Sequence, residues 1–231
     1  MRDTPDLSAW LPCDRVGRKT LPGRYAICEP YLREAHSAGL FQALGGNQNT
    51  ELWDFMPLGP FAARSELEAM LAFVNPAEHT ESSWQTMVVR CTGSGEILGM
   101  ASYMRIREAH GSAEVGAVTF SKKMQRTRIA TEAMYLMARH VFADLGYRRY
   151  EWKCHHENAA SMRAAVRFGF IYEGVFRNDM VVKGRNRDTA WYAITDSDWP
   201  LVDKAFTRWL APSNFDPNGQ QKSKLAVPGA G

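Results

Sequence analysis

Between Ala113 and Gly146 the chain reads as a strand, a short basic turn and a helix, in that order. The strand is Ala113-Glu-Val-Gly-Ala-Val-Thr-Phe120. The turn and helix start are Gln125-Arg126-Thr127-Arg128-Ile129-Ala130-Thr131. Ile129, Ala133, Leu136, Met137, Val141 and Leu145 then recur at three- and four-residue spacing, and Gly146 is a good C-cap, so a helix leaves the turn. The first N–H groups of such a helix have no backbone partner and its dipole adds partial positive charge. With Arg126 and Arg128 on the same turn, a phosphate-bearing ligand is the natural guest. The alternative is that both arginines are solvated charges at an ordinary helix start.

A second unit of the same kind follows. A compact strand, Arg149 to Cys154, runs through His155-His156-Glu157-Asn158 into a helix pattern from Ala159 to Phe168, closed by Gly169-Phe170. Upstream, Arg24 to Cys28 reads as a strand and Tyr31 to Leu44 as a helix. A second helix, Ser65 to Asn75, opens with Ser65-Glu-Leu-Glu68 at capping-box spacing. Between these helices lies a Gly/Pro-rich loop, 45–61, with Trp53, Phe55, Met56 and Phe61. Strands are expected at 84–91, 96–105, 113–120, 149–154, 170–182 and 188–195. The first two form a half-exposed antiparallel hairpin turned by Gly93-Ser94-Gly95. Asp198-Trp-Pro-Leu opens a last helix to about Leu210. Residues 1–23 read as an irregular extension, 24–210 as the folded domain, and the proline-bearing 211–231 as a disordered tail. Strands first, then helix, strand and helix, imply a mixed sheet with helices on both faces.

Composition limits the partners. A chain of 231 residues with 45% hydrophobic content can bury one large core. A formal charge of only +3 argues against a whole-surface nucleic-acid binder. Cys13, Cys28, Cys91 and Cys154 are scattered without a Cys-x-x-Cys pair, which leaves a zinc or redox motif unsupported. No apolar run is long enough to span a bilayer and no signal pattern opens the chain, so the reading is a cytoplasmic protein with free thiols and no membrane. His155-His156-Glu157 are adjacent residues that diverge after a strand, so no metal is expected.

Ordered along the chain, these blocks resemble the GNAT superfamily of acyl-CoA-dependent N-acyltransferases. That family's pyrophosphate loop reads Gln/Arg-x-x-Gly-x-Gly/Ala. Gln125 and Ala130 match it, and Arg128 stands where the middle glycine belongs. The second block is matched by Asn158, Ser161, Arg167 and Gly169-Phe170. Glu173-Gly-Val-Phe-Arg177, Lys183-Gly-Arg-Asn-Arg-Asp188 and Trp191-Tyr-Ala-Ile194 are similar to the Rim-type branch, which includes acetyltransferases of ribosomal-protein N-termini. The resemblance spans about residues 24 to 200 and is clearest from Ser83 onward. It implies an α/β (α+β) fold with a mixed, mostly antiparallel central sheet, flanking helices and two central strands that splay apart to admit acyl-CoA. Gly116 would lie in the strand that bends there.

The implied reaction transfers an acetyl group from acetyl-CoA to a primary amine, a protein N-terminus or a small molecule, by direct attack in a ternary complex. An amine attacks only as the free base, and an α-amine (pKa about 8) is easier to deprotonate than a lysine (about 10.4). The enzyme must align both reactants, remove a proton and polarise the thioester carbonyl. Glu114 is the candidate base, directly or through a water. It is otherwise an exposed carboxylate on the strand's polar face. A backbone N–H at Val118 or Thr119 would polarise the carbonyl, with Phe120 completing that cofactor edge. The backbone from Gln125 through Arg126, Thr127, Arg128, Ile129 and Ala130 to Thr131 would hold the pyrophosphate, and the Thr131 hydroxyl can add to it. Asn158 would bond the pantetheine arm while also capping its helix. Arg167 is the basic residue of the second block.

Relatives place a tyrosine seven residues after the asparagine, and here that position is Ala165. Ser161 is the candidate donor to the leaving thiolate, or else a small residue that allows close packing. The family's glycine permits close backbone approach, so Arg128 keeps that approach only with a negative φ and its side chain turned away or clasping a phosphate. Trp53, Phe55, Met56 and Phe61 would line an acceptor pocket, form a dimer contact or pack in the core. His156 or Glu157 would face the acceptor. Monomer and homodimer both remain open. The alternative function is an inactive acyl-CoA-binding sensor or partner module.

Overall fold

The computed structural model describes residues 6–76 and 83–229. Residues 1–5 of the irregular extension and 230–231 of the tail lie outside the described residues. Eight strands form one sheet: β1 (Leu21–Pro22), β2 (Ala26–Pro30), β3 (Gln85–Cys91), β4 (Ile97–Arg107), β5 (Ser112–Phe120), β6 (Arg149–His155), β7 (Ile171–Val182) and β8 (Arg185–Thr195). Their order is β1-β2-β3-β4-β5-β6-β8-β7. Every neighbouring pair is antiparallel except β5 and β6. The mixed, mostly antiparallel sheet implied by the sequence is therefore the observed architecture.

Helices α1 (Arg33–Leu44) and α2 (Arg64–Val74) cover one face. They bury Leu40, Leu67 and Leu71 against Val88 and Met100. Helices α3 (Arg128–Arg139), α4 (Ala159–Arg167) and α5 (Trp199–Leu210) cover the other, where Val115, Tyr150 and Trp152 meet Ala133, Met137 and Phe206. Helices on both sides explain a departure from expectation. The β3–β4 hairpin is not half-exposed, because Met87 and Val89 enter the second core while Val88 enters the first. A register shift between Val89 and Arg90 also moves Ile97 to the face opposite Ala101.

Three other local expectations shift. The start of α2 uses Glu66, whose carboxylate accepts from the Ala62 and Ala63 N–H groups at 2.8 and 3.2 Å. Glu68 instead pairs with Arg33 and Arg64. The helix begins one residue early, so the acidic residue at the third helical position is Glu66. The α3 pattern runs on through a π-helical turn, His140–Asp144, to Gly146 with φ +68°. The tail is not disordered over its described residues. Phe215 and Leu225 are buried, and Asn214 bonds the Trp209 carbonyl and Ser223. Prolines end α5, but the apolar residues between them still find the α3–α5 face to cover.

The feature that positions a site lies at the sheet centre. Parallel pairing of β5 with β6 runs from Ser112–Arg149 to Val115–Trp152 and stops. Beyond it, 116–120 keeps β4 as partner on one side only. A bulge leaves Ala117 and Val118 without a β4 register partner, and Ala117 takes φ +49°. The sequence placed the bend at Gly116, and the left-handed residue is its neighbour.

Candidate active site

The fork between β5 and β6 opens toward the turn that follows β5. The Gln125 side-chain amide donates to the Phe120 carbonyl at 2.9 Å and folds the turn back on the strand. Thr127 caps α3. Its hydroxyl accepts from the Ala130 N–H at 3.3 Å and donates to the Met124 carbonyl at 2.6 Å. The Gln125, Thr127 and Thr131 N–H groups are taken by Ser121, Met124 and Thr127 carbonyls. Among the described residues, the N–H groups of Arg126, Arg128 and Ile129 have no such partner. The amides free for an anion are thus three rather than the whole run from Gln125 to Thr131.

Arg126, with φ +62°, is the left-handed residue of the turn. Arg128 opens α3 with helical backbone, and its guanidinium lies 4.4 Å over the Tyr25 ring and 5.4 Å from that of Phe215. Its side chain is turned onto aromatics at the mouth of the turn, so backbone approach is kept without the family's glycine. The Thr131 hydroxyl does not face the turn. It donates to the Thr127 carbonyl at 3.2 Å and accepts from Arg167 Nη1 at 3.2 Å. Arg167 also lies over Trp209 at 5.2 Å, and burial pushes its pKa down. It ties α4 to α3 and α5.

On the α4 side of the fork, Asn158 Oδ1 accepts from the Ser161 N–H at 3.0 Å, so the cap exists. Ser161 Oγ accepts from Trp152 Nε1 at 3.0 Å and stands beside the buried Cys154 thiol, which burial pushes up in pKa. Ser161 is therefore more than a packing residue. It is held at the fork by the last paired β6 residue. Ala165 is fully buried.

On the opposite face sits Glu114, only 4% exposed, which rules out the reading of a solvated polar-face carboxylate. Its Oε2 is 2.8 Å from Lys153 Nζ and 3.8 Å from Arg105 Nε. Burial raises its pKa, Lys153 opposes that rise, and the neighbouring Glu151 carboxylate adds to it. Glu151 lies beside it in register and accepts from Arg107 and Arg149 at 2.9 and 2.7 Å. Gly116 keeps room at the base, since a Cβ there would sit 3.0 Å from Glu114 Oε1 and 2.4 Å from Met104 Sδ.

Of the loop aromatics, Trp53 and Phe61 belong to the core, with Trp53 Nε1 bonded to the Leu44 carbonyl at 3.0 Å. Met56 is partly buried against the same core. Phe55 is exposed and meets the His155 ring at 5.6 Å. His155 is thus the β6 residue that meets Phe55. Lys183, at the tip of the β7–β8 hairpin, donates to the Trp53 carbonyl at 3.1 Å and brings that hairpin to the loop. Trp191 on β8 lies under both Arg105 and Lys153, at 5.3 and 4.8 Å.

Sequence reasoning missed Lys153, Arg105, Trp191 and Phe215. For Lys153 the sequence offered only its alternation with Trp152 along the strand, and where the β5–β6 pairing ends was not readable from the chain. Among the described residues no group of three or more His, Cys, Asp or Glu is placed to hold a metal ion, and no helix is long and apolar enough to cross a membrane.

Comparison with known proteins bears on this geometry. A family model described as an acetyltransferase (GNAT) domain matches residues 29–171, more than half of the chain. A crystal structure of a GCN5-related N-acetyltransferase from Brucella melitensis is 42% identical. It superposes with a TM-score of 0.89 over 95% of this chain and 97% of that one. An N-acetyltransferase of Bacillus licheniformis is 23% identical over 64% of this chain and 83% of its own length. The ribosomal-protein-serine acetyltransferase of Escherichia coli (strain K12) is 30% identical over 44% of this chain and 57% of its own.

Proposed function

Since the chain belongs to the GNAT acetyltransferases, we propose that it transfers an acetyl group from acetyl-CoA to a primary amine in a ternary complex at the β5–β6 fork, with Glu114 as base. The observation that carries this is the end of the parallel ladder at Val115–Trp152. It leaves an open edge with three unpartnered amides of the phosphate turn at one end and a buried carboxylate on the far face. That edge fits a long polar chain ending in a pyrophosphate.

In this mechanism the N–H groups of Arg126, Arg128 and Ile129 and the α3 dipole hold the pyrophosphate. The edge 116–120 pairs with the pantetheine arm, and the bulge at Val118 offers its N–H to the thioester carbonyl. Glu114 takes the proton from the attacking amine, directly or through one water. Ser161 donates to the leaving thiolate, which needs little help because thiol pKa values lie near about 8.5. The acceptor is a primary amine, with a protein N-terminus favoured by the Escherichia coli relative's activity on a ribosomal protein. The site of action is the cytoplasm, where acetyl-CoA and such N-termini occur together.

Two measurements test this reading. Acetyl-CoA is titrated by calorimetry into wild type and Asn158→Ala, and free thiol is followed with a panel of amines and N-terminal peptides. Binding weakened by Asn158→Ala, with thiol release lost in Glu114→Gln, is the expected result. Absence of acetyl-CoA binding overturns the reading. Binding without thiol release on any amine would leave a cofactor-binding module.

A further inference from the structure

The primary amine nearest to the candidate base belongs to the protein itself. Lys153 is the first β6 residue beyond the last β5–β6 pair, Val115–Trp152. Alternation along β6 sends its side chain to the Glu114 face, away from Trp152 and Cys154. Its Nζ lies 2.8 Å from Glu114 Oε2 and 4.8 Å over the Trp191 ring, and the side chain keeps 15% of its surface exposed. An acceptor amine for this reaction must meet three conditions: contact with the base, a position at the fork, and a path to the thioester through the open edge. Lys153 meets the first two in the structure.

Other lysines around the cleft are held elsewhere. Lys122 pairs with Glu51, Lys123 with Glu96, and Lys183 bonds the Trp53 carbonyl. The ring under Lys153 matters as well. A cation over an indole face is held in place without being enclosed by further carboxylates.

We propose that Lys153 is an acetyl acceptor of the enzyme's own, modified in the same fork that serves the external amine. This rests on the acetyl-CoA reading of the site. The step balances without any further reagent. Glu114 takes one proton from the Lys153 ammonium. The free Nζ attacks the thioester carbonyl carbon, the C–N bond forms, and the C–S bond breaks. The second N–H proton goes to the leaving thiolate, and Glu114 returns its proton to solvent. The products are Nε-acetyl-Lys153, coenzyme A and one released proton. Acetylation removes the ammonium from Glu114 and from Trp191, so the modified protein carries a base without its resident cation.

The full chain is incubated with acetyl-CoA and no added amine, then read by intact mass spectrometry and peptide mapping. Wild type gains one acetyl group, located on Lys153. Lys153→Arg keeps the positive charge beside Glu114 and over Trp191 and gains no acetyl group at that position. Glu114→Gln modifies Lys153 more slowly by roughly a hundredfold or more, the low end of what removal of a positioned base costs. If Lys153 stays unmodified while added amines are acetylated, the inference is overturned and the acetyltransferase reading stands. Equal labelling of Lys153 and exposed Lys122, unaffected by Glu114→Gln, means uncatalysed chemistry and also overturns it. Failure to bind acetyl-CoA overturns both.

Discussion

The basic turn before α3 and the Glu114 cleft meet at one fork but are built in opposite ways. The turn is almost wholly local. Gln125 folds back on Phe120, Thr127 caps the helix that starts beside it, and the free amides belong to neighbouring residues. The cleft is assembled from β4, β5, β6 and β8, with Phe55 and Lys183 closing its rim. Its ionisable groups face one another across strands and set one another's charge. The turn offers three unpartnered backbone amides, shaped by contacts among neighbouring residues. The cleft uses side chains, whose identity is everything.

The sharpest way to break this contrast is Glu114→Gln. On the proposed mechanism it lowers turnover roughly a hundredfold or more while leaving the acetyl-CoA dissociation constant within about twofold, because the base lies on the face away from the phosphate turn. Equal loss of binding and turnover would mean that the two regions are not separable.

The pH profile sharpens the same point. Glu114 must be ionised to accept a proton, and burial raises its folded pKa. Activity is then present above that raised value and is lost as pH falls through it, at a pH above the ordinary carboxylate range of about 4.3. Lys153 and Arg105 oppose the rise, and Glu151 adds to it. Lys153→Met consequently moves the acid limb of kcat/KM to higher pH. A limb unmoved by that change would assign it to another group.

A stability test comes next in size. The buried Glu132 carboxylate of α3 accepts from the N–H groups of Arg24, Tyr25 and Ala26 at the start of β2. Glu132→Ala leaves three donors unpaired and is expected to cost about 3 kcal/mol, read as a lower denaturant midpoint. It also frees Tyr25, against which Arg128 lies.

Smaller is Phe215→Ala, which removes one of the two rings beside Arg128. Acetyl-CoA binding weakens roughly fivefold, on the scale of a cation–π contact of about 1 kcal/mol. In an Arg128→Ala background the same change has no further effect on binding, which separates guanidinium placement from general destabilisation. Last is Asn158→Ala, which removes the cap on the Ser161 N–H and costs about 1 kcal/mol in thermal stability beyond its effect on binding.

Legibility in the sequence follows the same division. The extents of α3 and α4 and the strands around the fork could be read from period and punctuation, because a 3.6 or 2.0 repeat records which face a core will cover. The Asn158 cap and the Gly146 stop are likewise local. Glu114 could be nominated but not weighed, since nothing near it in the chain says that it is buried or that Lys153 lies against it. The tail misled for a related reason. Proline spacing argues against regular structure, and it says nothing about whether Phe215 and Leu225 will find a surface.

The sequence by itself determined the order of elements, the basic turn that starts α3 and the membership of a family of acetyltransferases. Those depend on interactions a few residues long. Only the tertiary structure decided where the parallel ladder stops, that Arg126 rather than Arg128 takes the left-handed backbone, and that Glu114 meets an amine 39 positions away on β6. These depend on how strands far apart in the chain register against one another, and on charges removed from water together. Neither leaves a periodic trace in the chain.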